Sequence, residues 1–196
     1  ITNSQTKMPT KIAAKTVKLI QKFLLQSYNR TIDIDGLASD KLAHAKSQCN
    51  NISTFLQTDI TGKTVWIQPP TNAIELVLEK IFKSQKLDPT TMAIVAIQKT
   101  EKGKTALSLR SHGILLHTFR KGKKILDSGK TDQPQITQKP VTIYIIPPLD
   151  MGETVYKVEN LPKTFVNLIS KEQHQRGTAK TKRANNKRKP VEKRRP

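Results

Sequence analysis

A chain of 196 residues, 35% of them hydrophobic and with a mean hydropathy of −0.52, has room for one modest core with polar tails rather than for two full domains. Its formal net charge of +20 and pI near 10.2 exceed what solubility requires and point to a polyanionic partner, nucleic acid before membrane, the plain alternative being a solvated basic surface. A lone cysteine, Cys49, excludes a disulfide framework and a thiolate metal cluster.

These features predict an intracellular, reducing compartment. No apolar run approaches the roughly 20 residues that span a bilayer, and no signal-like segment is visible. The chain opens on Ile1, as a trimmed product or a piece of a larger polyprotein or complex would.

Residues 1–9 are polar and contain Pro9, which predicts a loose lead-in to a domain over 10–170. From Thr10 to Tyr28 the spacing is helical. Ile12, Thr16, Leu19, Ile20, Phe23 and Leu24 share one face, and Lys11, Lys15, Lys18 and Lys22 line another. That lysine row is either a wet helix face or a phosphate contact. Thr31-Ile32-Asp33-Ile34-Asp35 alternates polar and apolar residues and then meets Gly36, a strand followed by a turn. Asp33 and Asp35 at the strand end could bind hydroxyls, an amine or a metal, or could serve turn chemistry alone. Residues 38–47 read as a short helix or irregular chain, and 50–61 as polar chain around Phe55 and Leu56.

The stretch Thr64–Lys83 organises the rest. Val65-Trp66-Ile67 is a strand that Gln68-Pro69-Pro70 must end, since two prolines remove two backbone donors. Asn72 is placed to cap a helix, with Glu75 three residues on. Ile74, Val77, Leu78, Ile81 and Phe82 give that helix one apolar face. Residues 91–97 read as a strand buried on both faces, which completes a βαβ unit. A short helix over 105–111 precedes the strand 114–119. A tight basic turn follows, in which Arg120, Lys121, Lys123 and Lys124 flank Gly122 as a phosphate cradle or a solvated hairpin tip. Residues 141–146 are the last strong strand. An edge strand at 154–158 and a helix at 161–169 close the domain.

Residues 171–196 hold eleven Lys or Arg against Glu172 and Glu192, a net charge of +9, with Val191 as the only branched aliphatic. Such a segment buries too little apolar surface to order itself. Lys182, Arg183, Lys187, Arg188 and Lys189, extended by Arg194 and Arg195, resemble a two-part nuclear import signal and offer an anchor for nucleic acid. The chain shows no P-loop, no dinucleotide glycine pattern, no zinc spacing and no nucleophile elbow. Trp66 and Tyr144 are the candidates for base stacking.

Thr31-Ile32-Asp33-Ile34-Asp35-Gly36-Leu37-Ala38-Ser39 and Val65-Trp66-Ile67-Gln68-Pro69-Pro70 carry a family likeness. They resemble the strand ending in an acid followed by Ala-Ser, and the strand with its Asn-Pro-Pro-aromatic loop, of phage-type DNA adenine methyltransferases. The chain resembles more closely still the methyltransferase-like domain of DIRS-type retroelements, and the likeness covers residues 30–148. It implies a Rossmann-like, mostly parallel or mixed sheet flanked by helices, with S-adenosylmethionine as methyl donor and Asp33 or Asp35 on the cofactor side. It also implies a flipped adenine at the loop Gln68, Pro69, Pro70 and Thr71.

Two positions depart from that pattern. Gln68 carries its amide one methylene further out than Asn, and a misplacement of about 1 Å can cost about a hundredfold in rate. Thr71 stands where an aromatic would stack on the base. The expectation is therefore a nucleic-acid-binding protein on a degenerate methyltransferase-like scaffold, anchored by its basic tail. The alternatives are an active S-adenosylmethionine-dependent DNA adenine methyltransferase and a structural RNA-binding subunit of a ribonucleoprotein. No metal is called for.

Overall fold

The structure is a computed structural model that describes residues 11–38, 43–97, 104–126, 135–137, 139–149 and 161–171. Apolar and β-branched runs account for its centre. β3 (Thr64–Ile67) and β4 (Met92–Ile97) are buried at every position, as strands covered on both faces must be. With β1 (Ile34–Asp35), β2 (Ser47–Gln48), β5 (Ile114–Phe119) and β8 (Val141–Ile146) they form a six-stranded sheet in the order β2-β1-β3-β4-β8-β5. The first four are parallel, and β8 runs antiparallel to both β4 and β5. The four apolar runs singled out in the sequence are thus adjacent strands of one Rossmann-like α/β sheet.

Each sheet face has its own apolar cluster. On one face α1 (Ala14–Tyr28) and the helical residues 161–171 cover Trp66, Ile94, Ile143 and Ile145. Phe23 and Phe165 meet edge to face with centroids 5.8 Å apart. On the other face α2 (Ile52–Gln57), α3 (Ile74–Leu87) and α4 (Lys104–His112) cover Val65, Ile67, Ala93 and Val95. α3 buries Ile74, Val77, Leu78 and Ile81, the stripe that the spacing predicts.

Several expectations are corrected. α1 starts at Ala14 rather than Thr10, because residues 11–13 are extended and Ala13 has φ −63° and ψ 147°. Lys11 therefore leaves the lysine row, which is Lys15, Lys18 and Lys22, all exposed. Asn72 caps nothing: Thr71–Ala73 is a 3-10 turn that leads directly into α3, and Ala73 at its N-cap has no side chain to offer. β2 and α2 arise in chain that reads as polar and irregular. Asn51 caps α2 by accepting from Thr54 N at 2.8 Å, and Phe55 is buried beneath it. The basic turn is not a hairpin tip joining β5 to its neighbour. It hands the chain to β6 (Lys124–Leu126), which pairs with β7 (Gln135–Ile136) in a separate two-stranded ribbon. The lead-in 1–9, the edge strand at 154–158 and the tail from 172 onward lie outside the described residues.

Candidate functional site

β1 and β3 are parallel neighbours, with Ile34 opposite Val65 and Asp35 opposite Trp66. Beyond their carboxyl ends the chain diverges. After β1, Leu37 still packs with the α3-face cluster, and by His44 the chain lies on the α1 face, where the His44 ring stands edge-on to Trp66 at 5.6 Å. After β3 it turns to the opposite face and enters α3. Adjacent strands whose connections leave on opposite faces open a crevice at their carboxyl ends, the usual ligand position of an open α/β sheet. The sequence-selected residues Asp35, Gln68, Pro69 and Pro70 gather there. Asp35 and Trp66 share a face by register, and Gln68, two residues past Trp66, returns to it.

The extended residues 11–13 lie across this crevice. Lys11 Nζ donates to Asp35 Oδ2 at 2.7 Å, and Ile12 N donates to Gln68 Oε1 at 3.1 Å. Ile12 is fully buried, and Ala13 N continues the strap to Ile125 O at 2.7 Å. Asp35 itself has no exposed surface. Its carboxylate also accepts from Leu37 N at 3.1 Å and from His44 N at 2.9 Å. The lysine and two main-chain donors spend this carboxylate within the chain, with the charge compensated where it is buried. Asp33 is exposed, and its Oδ2 accepts from Thr64 N at 2.8 Å, a local tie between β1 and β3.

The other predicted site residues separate into groups. Pro69 is buried, Pro70 half-buried, and Thr71 exposed at the start of the 3-10 turn. Trp66 is fully buried, so it is no stacking platform, and Tyr144 is half-buried within β8. The indole Nε1 of Trp66 is buried without a hydrogen-bond partner. Arg120, Lys121, Lys123 and Lys124 are all exposed on the basic turn, well apart in sequence and element from the crevice. Gly122 has φ 89°, and its N donates to Thr137 O at 2.9 Å, tying the turn to the segment that carries β7. Lys182, Arg183, Lys187, Arg188, Lys189, Arg194 and Arg195 lie outside the described residues.

Two functional features escaped the sequence. Lys11 reads as one rung of a helix face, and only the three-dimensional placement of Asp35 shows it to be a buried counter-ion. His44 carries no motif, yet its main chain holds Asp35 and its ring meets Trp66. A conserved spacing could not have flagged either one. The scarcity of acids near β1 was the only available signal.

Among the described residues no three His, Cys, Asp or Glu side chains converge as metal ligands. No described helix is long and apolar enough to cross a membrane. No family model matches the chain, and no curated protein matches it.

Proposed function

We propose that this chain is a nucleic-acid-binding protein on a methyltransferase-like scaffold whose crevice is closed by its own residues 11–13. One contrast carries the reading. The polar groups at the crevice, Asp35 and Gln68, bond inward, to Lys11 and to Ile12 N, while the lysines of α1 and the cations of the basic turn lie on the exposed surface. A net charge of +20 gathers phosphates by counterion release. The basic residues 171–196 are the anchor, and the import-like clusters within them support a nuclear location.

The residues present do not fit S-adenosylmethionine and a flipped adenine. The acid expected on the cofactor side, Asp35, already holds an ammonium and two N–H donors. The acceptor expected to take the adenine amine, Gln68 Oε1, holds Ile12 N. Thr71 gives the base no ring to stack on. One observation favours the alternative of an active DNA adenine methyltransferase: the partnerless Nε1 of Trp66, beside the strap, is a donor that a ligand acceptor would satisfy.

The test has two arms. The first is binding of labelled duplex and single-stranded DNA and RNA across a salt series, comparing the full chain with a chain ending at residue 170. The expected result is binding that falls steeply with salt, with a flatter dependence of log affinity on log salt after truncation. Equal affinity and slope in the two chains would remove the tail as anchor. The second arm is incubation with methyl-labelled S-adenosylmethionine and adenine-containing DNA. No cofactor binding and no transfer are expected. Transfer well above background, abolished in Gln68→Ala, would restore the enzyme.

A further inference from the structure

The basic charge is not spread evenly over the two faces of the sheet. α1 holds Lys15, Lys18 and Lys22, the turn and β6 hold Arg120, Lys121, Lys123 and Lys124, and the helical residues 161–171 hold Lys163 and Lys171. Those nine cations are all exposed, and these three stretches contain no Asp or Glu. They are also physically joined. Ala13 N, at the start of α1, bonds Ile125 O beside the turn at 2.7 Å, and Phe165 packs on both Phe23 of α1 and His117 of β5. On the opposite face α3 interleaves Glu75 and Glu79 with Lys80, Lys83 and Lys86, Glu79 pairs with Lys83 at 2.8 Å, and α4 adds the two cations Lys104 and Arg110. α1 is a one-sign face, whereas α3 is a mixed one.

The geometry points to the α1 face, with the basic turn and the helix 161–171, as a phosphate-gripping surface for double-stranded nucleic acid. This rests on the nucleic-acid reading above and names its partner and its side. Lys15, Lys18 and Lys22 lie at i, i+3 and i+7, within one stripe that rises about 10 Å along the helix. A row of that kind tracks a backbone. Binding of single strands by stacking needs exposed rings, and among the described residues this face offers none that is fully exposed: Phe23 and Phe165 are fully buried, Phe119 is buried, and Tyr28 and His117 are half-buried. A row of cations with no fully exposed ring beside it is suited to phosphate contacts, which position a duplex without reading its sequence. The helix ends at Lys171 on this same side, and the residues that follow in sequence, 172–196, hold ten Lys or Arg against Glu172 and Glu192.

The decisive comparison uses the full chain and two charge reversals of equal size. One variant carries Lys15→Glu, Lys18→Glu and Lys22→Glu, and the other Lys80→Glu, Lys83→Glu and Lys86→Glu. A Gln version of each triple guards against misfolding, with circular dichroism as the check. Affinity for a random duplex of DNA and of RNA, and for the matching single strands, is measured across salt. The α1 triple should weaken duplex binding about 10–100-fold and lower the salt slope by about 3, since each phosphate contact contributes about 0.9. The α3 triple should change either by less than about threefold. Equal losses in both triples overturn the face assignment while leaving nucleic-acid binding intact. Preferential binding of single strands that survives the α1 triple overturns the duplex. A wild-type chain that binds none of the four probes overturns the nucleic-acid reading itself.

Discussion

Removing the Asp35 carboxylate should be among the most damaging single changes in this protein. Asp35 is fully buried and Lys11 retains only 10% of its side-chain exposure, so truncating the acid leaves an ammonium facing a low-dielectric interior. Breaking one side of a buried pair costs about 3–5 kcal/mol. The N–H groups of Leu37 and His44 lose their acceptor as well, each worth about 1–3 kcal/mol if water cannot reach it. Lys11 can swing its head toward solvent on its flexible stem, which offsets part of the first cost. We therefore expect Asp35→Ala to lower unfolding stability by about 4 kcal/mol, a large share of the roughly 5–15 kcal/mol of an ordinary domain. Lys11→Met should cost less, about 1–2 kcal/mol, because Asp35 keeps two main-chain donors. The double variant Asp35→Ala, Lys11→Met should recover at least about 1 kcal/mol of the summed single losses. Urea unfolding of the four chains, followed by circular dichroism, measures all three. A loss below about 1 kcal/mol in Asp35→Ala, or strict additivity, would refute the buried ion pair and with it the closed crevice.

Other predictions follow from local geometry. Gly62 has φ +71° and an added Cβ would lie 2.6 Å from Asp88 Oδ2, while Gly122 has φ +89° with nothing within 4 Å. Both Ala variants should lose about 1–2 kcal/mol to the left-handed backbone, and Gly62→Ala about 1 kcal/mol more to the clash, as read from urea midpoints. Burial, assisted by Lys123, holds His117 below the ordinary histidine value of 6.5, so the unfolded chain binds the proton more tightly. Stability should be complete above that value and decline as pH falls below it, and His117→Asn should flatten this limb of a stability–pH series.

The alternation and the proline pair made the sheet legible. Val65-Trp66-Ile67, 91–97 and 141–146 are β-rich and apolar, so burial fixes them as strands, while 114–119 buries only Leu116 and Phe119 and is held by its pairing with β8. β2 was invisible because Ser47 and Gln48 are exposed edge residues whose only signal is the main-chain pairing to Ile34 and Asp35. α2 hid for a related reason: one buried ring, Phe55, holds a six-residue helix too short to show a period. At the site, Asp35 and Gln68 announced themselves by position beside a turn and a proline pair. What they bind did not, since the contacts come from Lys11 and Ile12, 24 and 56 residues away, and long-range pairing leaves no local pattern.

Gln68 is where closure and catalysis pull in opposite directions. Its side chain is buried, and Oε1 reaches Ile12 N at 3.1 Å. Asparagine, the residue that the likeness to adenine methyltransferases would place here, is one carbon shorter, so the acceptor would retreat by about 1.5 Å and pass out of hydrogen-bonding range. The Ile12 N–H would then be buried without an acceptor, costing about 1–3 kcal/mol, and the lost methylene would cost about 0.8 kcal/mol more. Gln68→Asn should therefore destabilise the protein by about 2–3 kcal/mol. The amide of Ile12 should exchange with solvent faster, while the amides of β4 change only as global stability does. Lys11 would still hold the strap through Asp35, so opening should need both handles cut, and Gln68→Asn with Lys11→Met should expose Trp66 to a fluorescence quencher where neither single variant does. A neutral Gln68→Asn, with Ile12 exchange unchanged, would mean that the strap does not depend on the extra methylene. Stabilisation of Gln68→Asn by S-adenosylmethionine, with methyl transfer once Thr71→Tyr is added, would mean that the longer side chain is what keeps this crevice shut.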